Sequence, residues 1–249
     1  MIVLGFDTAT HATAVALLLR GGEMLEDRDD PPAGAHPGHA TRLLAMAAEL
    51  LARAGTRWTD LDRVAVGLGP GRFTGLRVGA ATARGLAQSL DIELAGVSSL
   101  QALALQATRA GDGSPPVLAV IDALRGEVFA ACFQRREALE LPFPGALAAD
   151  EVASELAQAA GEGVRDWLAV GDGAVRYRAQ FEASGAGVPR DDSALHLVSA
   201  RSVCELGTRV APVQRLEELV PDYRRRPDAE LRPRPQESLA LAGPGEASP

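Results

Sequence analysis

Lysine and asparagine are absent from this 249-residue chain, and each of its 25 basic residues is an arginine. Without lysine there is no P-loop lysine and no Schiff-base nucleophile; without asparagine there is no catalytic carboxamide of that residue. Cysteine is scarce: Cys132 and Cys204 stand far apart and form no disulfide framework or zinc pattern. The histidines are His11, His36, His39 and His196. His36 and His39 are three positions apart, but Pro37-Gly38 break any helix that would align them on a metal, so neither a metal nor a cofactor is expected. No apolar run approaches the ~18–20 residues needed to cross a membrane. The opening MIVLGFDTAT lacks the basic head, apolar core and cleavage site of a signal peptide. A reducing cytoplasm is the expected location. A net charge of -8 argues against a surface that wraps nucleic acid as a whole.

What is present is apolar patterning over 47% of residues, enough to bury roughly 70–75% of the surface that the unfolded chain exposes. Ile2 to Phe6 is an apolar run closed by Asp7, a polar turn follows, and a second run spans Ala12 to Leu19. Two such runs around a turn predict a β-hairpin. The order returns in Val117 to Ile121, Asp122, a break at Ala123 to Gly126, and Glu127 to Phe133. Strand, aspartate, turn, strand, twice, predicts two similar halves. Between the hairpins, leucines 43, 44, 50 and 51 with Met46 and Ala47 make a helical stripe, closed by Gly55. Val64 to Leu68 reads as a buried strand, Leu76 to Leu90 as a helix, Ile92 to Val97 as a strand, and Ser98-Ser99 as the cap of a helix running to Thr108. Strands alternating with helices predict an α/β fold. Further on, 150–160 and 199–210 read as helices and 167–170 as a strand. The expected organisation is a first half over 1–112, a smaller second half over 113–226 whose last helix (about 199–211) packs back on the first, and a disordered tail over 227–249. Gly111 to Pro116 forms the boundary.

The segment GLGPGRFTGLRVGAATARGLA, Gly67 to Ala87, concentrates the chemistry. Its glycines allow tight turns and close backbone approach, and Thr74 reads as the helix cap. Gly75, Gly79 and Gly85 lie inside the helix, where each costs about 1 kcal/mol relative to alanine. Close packing against another backbone offsets that, and two backbones qualify: this chain's own sheet, or a partner's helix.

IVLGFDTAT, HATRLL at His39 to Leu44, GPGRFTGLRVG at Gly69 to Gly79, GVSSLQALA at Gly96 to Ala104, IDALRGEVFAACF at Ile121 to Phe133 and PDYRR at Pro221 to Arg225 together resemble the TsaB (YeaZ) family, older descriptions of which use the names M22 peptidase and glycoprotease. The resemblance is in register to about residue 135 and patchy to about 226. It implies an actin-like ATPase fold of the Hsp70 and sugar-kinase type, built from two duplicated halves. It also implies a non-catalytic activating subunit that partners a TsaD-like catalytic paralogue and a TsaE-like ATPase. That complex transfers a threonylcarbamoyl group to an adenosine beside the anticodon of transfer RNA. A partner surface is implied on the first two helices, where His39, Leu43, Met46, Ala47 and Leu50 meet Gly75, Arg77, Val78, Gly79 and Ala81; it would also support a homodimer. On this reading Gly79→Leu abolishes association and leaves the monomer folded.

Active members of the fold carry Asp-X-Gly-Thr/Ser at the first hairpin turn. Here Asp7, Thr8 and Thr10 surround Ala9 instead, a vestigial loop, with Gly171 and Gly173 as either the relic of an adenosine-binding turn or an ordinary strand-to-helix turn. Asp7 either caps the hairpin or holds a metal-bound water. Ser98 and Ser99 have no histidine–acid pair placed to activate them. Arg224 and Arg225, with Arg226, form a candidate RNA phosphate contact. An independent ATPase or small-molecule kinase of the same fold is the alternative function.

Overall fold

The computed structural model describes residues 1–32, 34–108, 115–134, 137–139, 143, 145–161 and 167–224. The boundary expected at Gly111 to Pro116 therefore falls outside the described residues up to Ser114, as do the tail over 227–249 and Arg225. Among the described residues no helix is long and apolar enough to cross a membrane.

Strand β1 (Val3–Asp7) pairs antiparallel with β2 (Thr13–Leu18), which pairs antiparallel with β3 (Met24–Asp29). After helix α1 (His39–Arg53), β4 (Arg63–Gly67) adds parallel to β1; after α2 (Phe73–Leu90), β5 (Glu93–Val97) adds parallel to β4. The sheet order is β3-β2-β1-β4-β5. Helix α3 (Ser99–Thr108) leads to the second sheet, where β6 (Val117–Leu124) and β7 (Glu127–Gln134) repeat the hairpin. Strands β8 (Glu137–Leu139) and β9 (Leu147–Ala148) both pair with β7, and β10 (Leu168–Val170), reached through α4 (Ala149–Gly161), adds parallel to β6. The path β8-β7-β6-β10 repeats β3-β2-β1-β4, so the duplication inferred from the two aspartates is a duplication of topology.

Strand alternation sorts the core. Leu4, Phe6, Val15, Leu17, Val64 and Val66 face α1 and α2 on one side of the first sheet. The opposite face, with Val3, Ala14, Ala16 and Ala65, packs against α3 and α7 (Ala200–Gly207), which also meet Val117, Ala119, Ile121 and Phe129 of the second sheet. The outer face of that sheet, with Leu118, Val120, Val128 and Cys132, covers α4 and α6 (Arg178–Ala183). The result is three helical layers alternating with two sheets. Helix α7 fits because small residues meet small residues: a Cβ on Gly5 would strike Cys204 Sγ, and one on Gly207 would strike Ala65.

Two local expectations change. Strand β3 was not anticipated; its sequence, MLEDRD, is charged because every residue is only half-buried at a sheet edge. Thr74 is not the cap of α2: the N-cap is Arg72, with Thr74 already in the first turn. Gly55 does close α1, at φ 61°, with Gly55 N–H donating to Ala52 and Thr56 N–H to Leu51.

Buried Arg63 ties the end of α7 to the first sheet. Its Nη1 donates to the carbonyls of Gly207 (2.5 Å) and Val210 (3.2 Å), while Nε and Nη2 hold Glu93 at 2.8 and 2.6 Å. We expect Arg63→Ala to cost about 2 kcal/mol by stranding those carbonyls, lowering the melting temperature by roughly 4–8 °C. A shift within 1 °C in a thermal melt would refute this anchoring role.

Candidate functional site

The glycine-rich segment packs on the chain's own first hairpin turn. Gly67, Gly71, Gly75 and Gly79 recur every four residues, and a Cβ on each would come within 3.0 Å of Asp7, Ala9, Thr8 and Thr8 respectively. Thr8 Oγ1 donates to the Gly75 carbonyl at 2.8 Å, and the Arg72 N–H donates to the Ala9 carbonyl at 2.7 Å. The chain's own first hairpin turn accounts for the close approach at all four glycines. This corrects the expectation for Gly79→Leu. At Gly79 a Cβ already sits 2.5 Å from Thr8 Oγ1, so leucine there disrupts the monomer before any partner arrives.

Asp7 is buried beneath this lattice. Its Oδ1 accepts the Ala9 N–H at 2.8 Å, its Oδ2 accepts the Ser99 hydroxyl at 2.5 Å, and Ser99 Oγ in turn accepts the Gly69 N–H at 3.1 Å. Burial pushes the Asp7 carboxyl above its ordinary value, opposed by the Ser99 and Ala9 hydrogen bonds. The capping role of Asp7 is thus realised. Ser99 is a fully buried link between β1 and the loop before α2, with its hydroxyl aimed at a carboxylate and no imidazole beside it among the described residues. That geometry cannot activate a serine nucleophile.

His39, the first residue of α1, is buried and shares a 2.9 Å hydrogen bond through Nδ1 with Thr13 on β2. Burial, then His11 and Arg72, lowers its pKa, so the ring is a neutral strut between α1, β2 and the start of α2. Thr10 is half-buried at the turn.

In the second half Asp122 repeats Asp7: its Oδ1 accepts the Leu124 N–H at 2.9 Å, and its Oδ2 pairs with Arg176 at 3.2 Å. Gly171 and Gly173 flank the start of α5 (Asp172–Arg176) and press on β6: a Cβ on Gly171 would overlap the Val120 carbonyl, and one on Gly173 would lie 2.7 Å from Val120 Cγ1. Asp172 Oδ1 accepts the Asp122 N–H at 3.0 Å; burial raises its pKa, while Arg72 acts on it from the first half. His196, unassigned from sequence, accepts the Gly171 N–H through Nδ1 at 3.1 Å and reaches the Pro189 carbonyl through Nε2 at 3.1 Å. Nothing local in the sequence signals that contact, which spans 25 residues.

The residues expected at a partner surface divide by burial. Leu43, Met46, Ala47 and Leu50 are at most 1% exposed and belong to the chain's own core, and Gly75 and Gly79 are buried against Thr8. The most apolar stripe of an amphipathic helix faces its own sheet first, and these six residues are taken up by the chain's own packing. Arg77 and Ala81 are exposed and Val78 is half-buried. Beside them on the surface lie Ala40, Leu44, Ala45 and Ala48 of α1 and Thr74 and Gly85 of α2. Arg224 is committed to Asp222 at 2.8 Å and to the Phe143 carbonyl at 3.2 Å.

Over residues 31–234 the chain matches the family described as TsaD: tRNA N6-adenosine threonylcarbamoyltransferase. It is 37% identical over 142 residues to the tRNA threonylcarbamoyladenosine biosynthesis protein TsaB of Escherichia coli (strain K12). That stretch takes in 55% of this chain and 57% of that protein, so the chain spans little more than half the length of the curated relative it matches. Among solved structures, a Pseudomonas aeruginosa protein described as similar to peptidase YeaZ shares 30% identity and a TM-score of 0.72, over 90% of this chain and 99% of that one. YeaZ from Pseudomonas aeruginosa shares 30% identity and a TM-score of 0.67, over 89% and 99%. The ROK hexokinase of Thermus thermophilus, at 14% identity and a TM-score of 0.50 over 84% and 99%, shares the fold alone. The expected actin-like, sugar-kinase fold is therefore the one observed.

Proposed function

The chain belongs to the TsaB (YeaZ) family within the tRNA N6-adenosine threonylcarbamoyltransferases, and on that premise we propose that it is the non-catalytic activating subunit of a complex that makes threonylcarbamoyladenosine in transfer RNA. Its partners in this reading are a TsaD-like catalytic paralogue and a TsaE-like ATPase, with transfer RNA reached through the complex.

The observation that carries the reading is the closure of the first hairpin turn. Where a working member of the fold offers turn amides to phosphate, the Ala9 amide here donates to Asp7, the Ala9 carbonyl accepts from Arg72, and Gly71 lies against Ala9. The Ala9 amide and carbonyl are thus internally satisfied, which supports a supporting rather than a catalytic role. The docking face is then the exposed surface of α1 and α2, with Leu44, Arg77, Val78 and Ala81, and not their buried stripes. The same face serves a homodimer when the paralogue is missing.

The test is threonylcarbamoyladenosine formation on unmodified transfer RNA, using the source organism's TsaD, TsaE and adenylate-forming enzyme with and without this chain. Modification should require the chain, and the chain alone should yield none. Equal modification without it, or ATP turnover by the isolated chain, would move the reading to an independent ATPase or small-molecule kinase.

A further inference from the structure

Three side chains from two distant parts of the sequence stack at one end of α2. Phe73 opens the helix; the Arg77 guanidinium lies 4.0 Å over its ring, and the Tyr223 ring packs 5.2 Å away at an interplanar angle of 43°. The stack faces outward: Arg77 is exposed, and Tyr223 and its neighbour Val220 remain 42% and 58% exposed, two of the few large apolar side chains that the described surface leaves uncovered.

Tyr223 is held rigidly. The strand-like return from α7 pairs Val213 N–H with the Leu94 carbonyl, buries Leu219 on Gly96, and takes a hydrogen bond from Arg84 at the Leu219 carbonyl. Asp222 N–H then donates to the Leu68 carbonyl at 2.7 Å, and Arg224 clamps the far side through Asp222 and Phe143. A fixed aromatic ring loses little freedom when it is covered, and tyrosine and arginine are the residues that dominate binding energy at protein interfaces.

Charge selects the occupant. In a chain of net charge -8, the 18-residue helix α2 contains Arg77 and Arg84 but no acidic residue. Among the described residues no carboxylate pairs with Arg77, whose recorded partner is the Phe73 ring. The fitting surface is apolar with an acidic group opposite Arg77.

We propose that Phe73, Arg77 and Tyr223 form the energetic centre of a protein-docking surface whose occupant presents a carboxylate to Arg77; the proposal rests on the activating-subunit reading and takes the TsaD-like chain as that occupant. The C-terminal PDYR segment is thereby part of the docking surface, alongside the two helices.

The experiment is calorimetric titration of the full chain with the source organism's TsaD, comparing the unaltered protein with Tyr223→Ala and Arg77→Glu, each checked for an unchanged melt. Both should weaken binding by roughly 30-fold or more, the scale of a hot-spot residue. A charge-reversed acid on TsaD should restore Arg77→Glu but not Tyr223→Ala. Arg77 is exposed, so a loss of folding in Tyr223→Ala leaves the arginine arm decisive. Unchanged affinity in Arg77→Glu overturns the proposal, as does weakened transfer RNA binding with intact TsaD binding. No binding by the unaltered chain would overturn both the proposal and the reading it rests on.

Discussion

Gly75→Ala should unfold or severely destabilise this protein, while Gly85→Ala, ten residues along the same helix, should stabilise it. Both sites lie inside α2, where alanine is intrinsically favoured over glycine by about 1 kcal/mol. At Gly85 nothing stands within 4 Å of the new methyl, so the propensity gain is realised in full. At Gly75 the methyl would overlap the Thr8 carbonyl, and the turn cannot retreat. Thr8 is fully buried and bonded to Gly75, and the adjoining Ala9 is held by Asp7 and Arg72. Relieving the clash means parting α2 from β1, a loss of order 4 kcal/mol or more by analogy with the severest packing defects. Denaturant titration of the two variants provides the check. Equal and small effects would show that α2 does not pack on the turn as described.

The second large effect concerns Ser99→Ala. The substitution leaves the Asp7 carboxylate without its 2.5 Å donor and the Gly69 amide without its acceptor, both buried. A cost of about 3 kcal/mol follows for leaving a buried acceptor and a buried amide each short of one partner, with the Ala9 amide still donating to Asp7. Its pH dependence has a definite sign. Burial already lifts the folded pKa of Asp7 above the ordinary 3.8, so the folded state holds its proton more tightly than the unfolded one. Stability linked to Asp7 therefore falls as pH rises from 3.8 through the folded value. Removing Ser99 takes away the hydrogen bond that opposes this rise, and the folded pKa climbs further. The deficit of Ser99→Ala should accordingly shrink as pH falls through the raised folded pKa, because Asp7 can then be buried neutral. Asp172 is also raised by burial, but it is common to both proteins and cancels in the difference. A deficit that is constant with pH would mean that Ser99 does not serve an ionised Asp7.

Much of the architecture was legible because it is written in local pattern. Runs of Val, Ile, Leu and Ala closed by Asp7 and by Asp122 marked the paired hairpins, and the α1 and α2 stripes marked two helices. Strand β3 escaped because an edge strand half-buried along its length has no apolar run to detect. The burial of the expected partner residues escaped for a related reason. Apolar periodicity reports which side of a helix is buried, and in α1 the chain's own sheet buries Leu43, Met46, Ala47 and Leu50. The exposed residues left over, Ala40, Leu44, Ala45 and Ala48, make the weaker pattern, which single-sequence periodicity ranks last.

By itself the sequence determined the fold class, the repeated hairpins, the absence of lysine chemistry, and the family motifs. These depend on residue identity and short-range spacing, which the chain carries in linear order. Only the tertiary structure decided what the glycines are for, whether Ser99 is free, and how Tyr223 comes to lie beside Phe73. The Ser99–Asp7 bond spans 92 residues, and the Phe73–Tyr223 stack joins the start of α2 to the last described residues. Side chains that far apart are brought together by sheet order and layer packing, and no local pattern records which of them will meet.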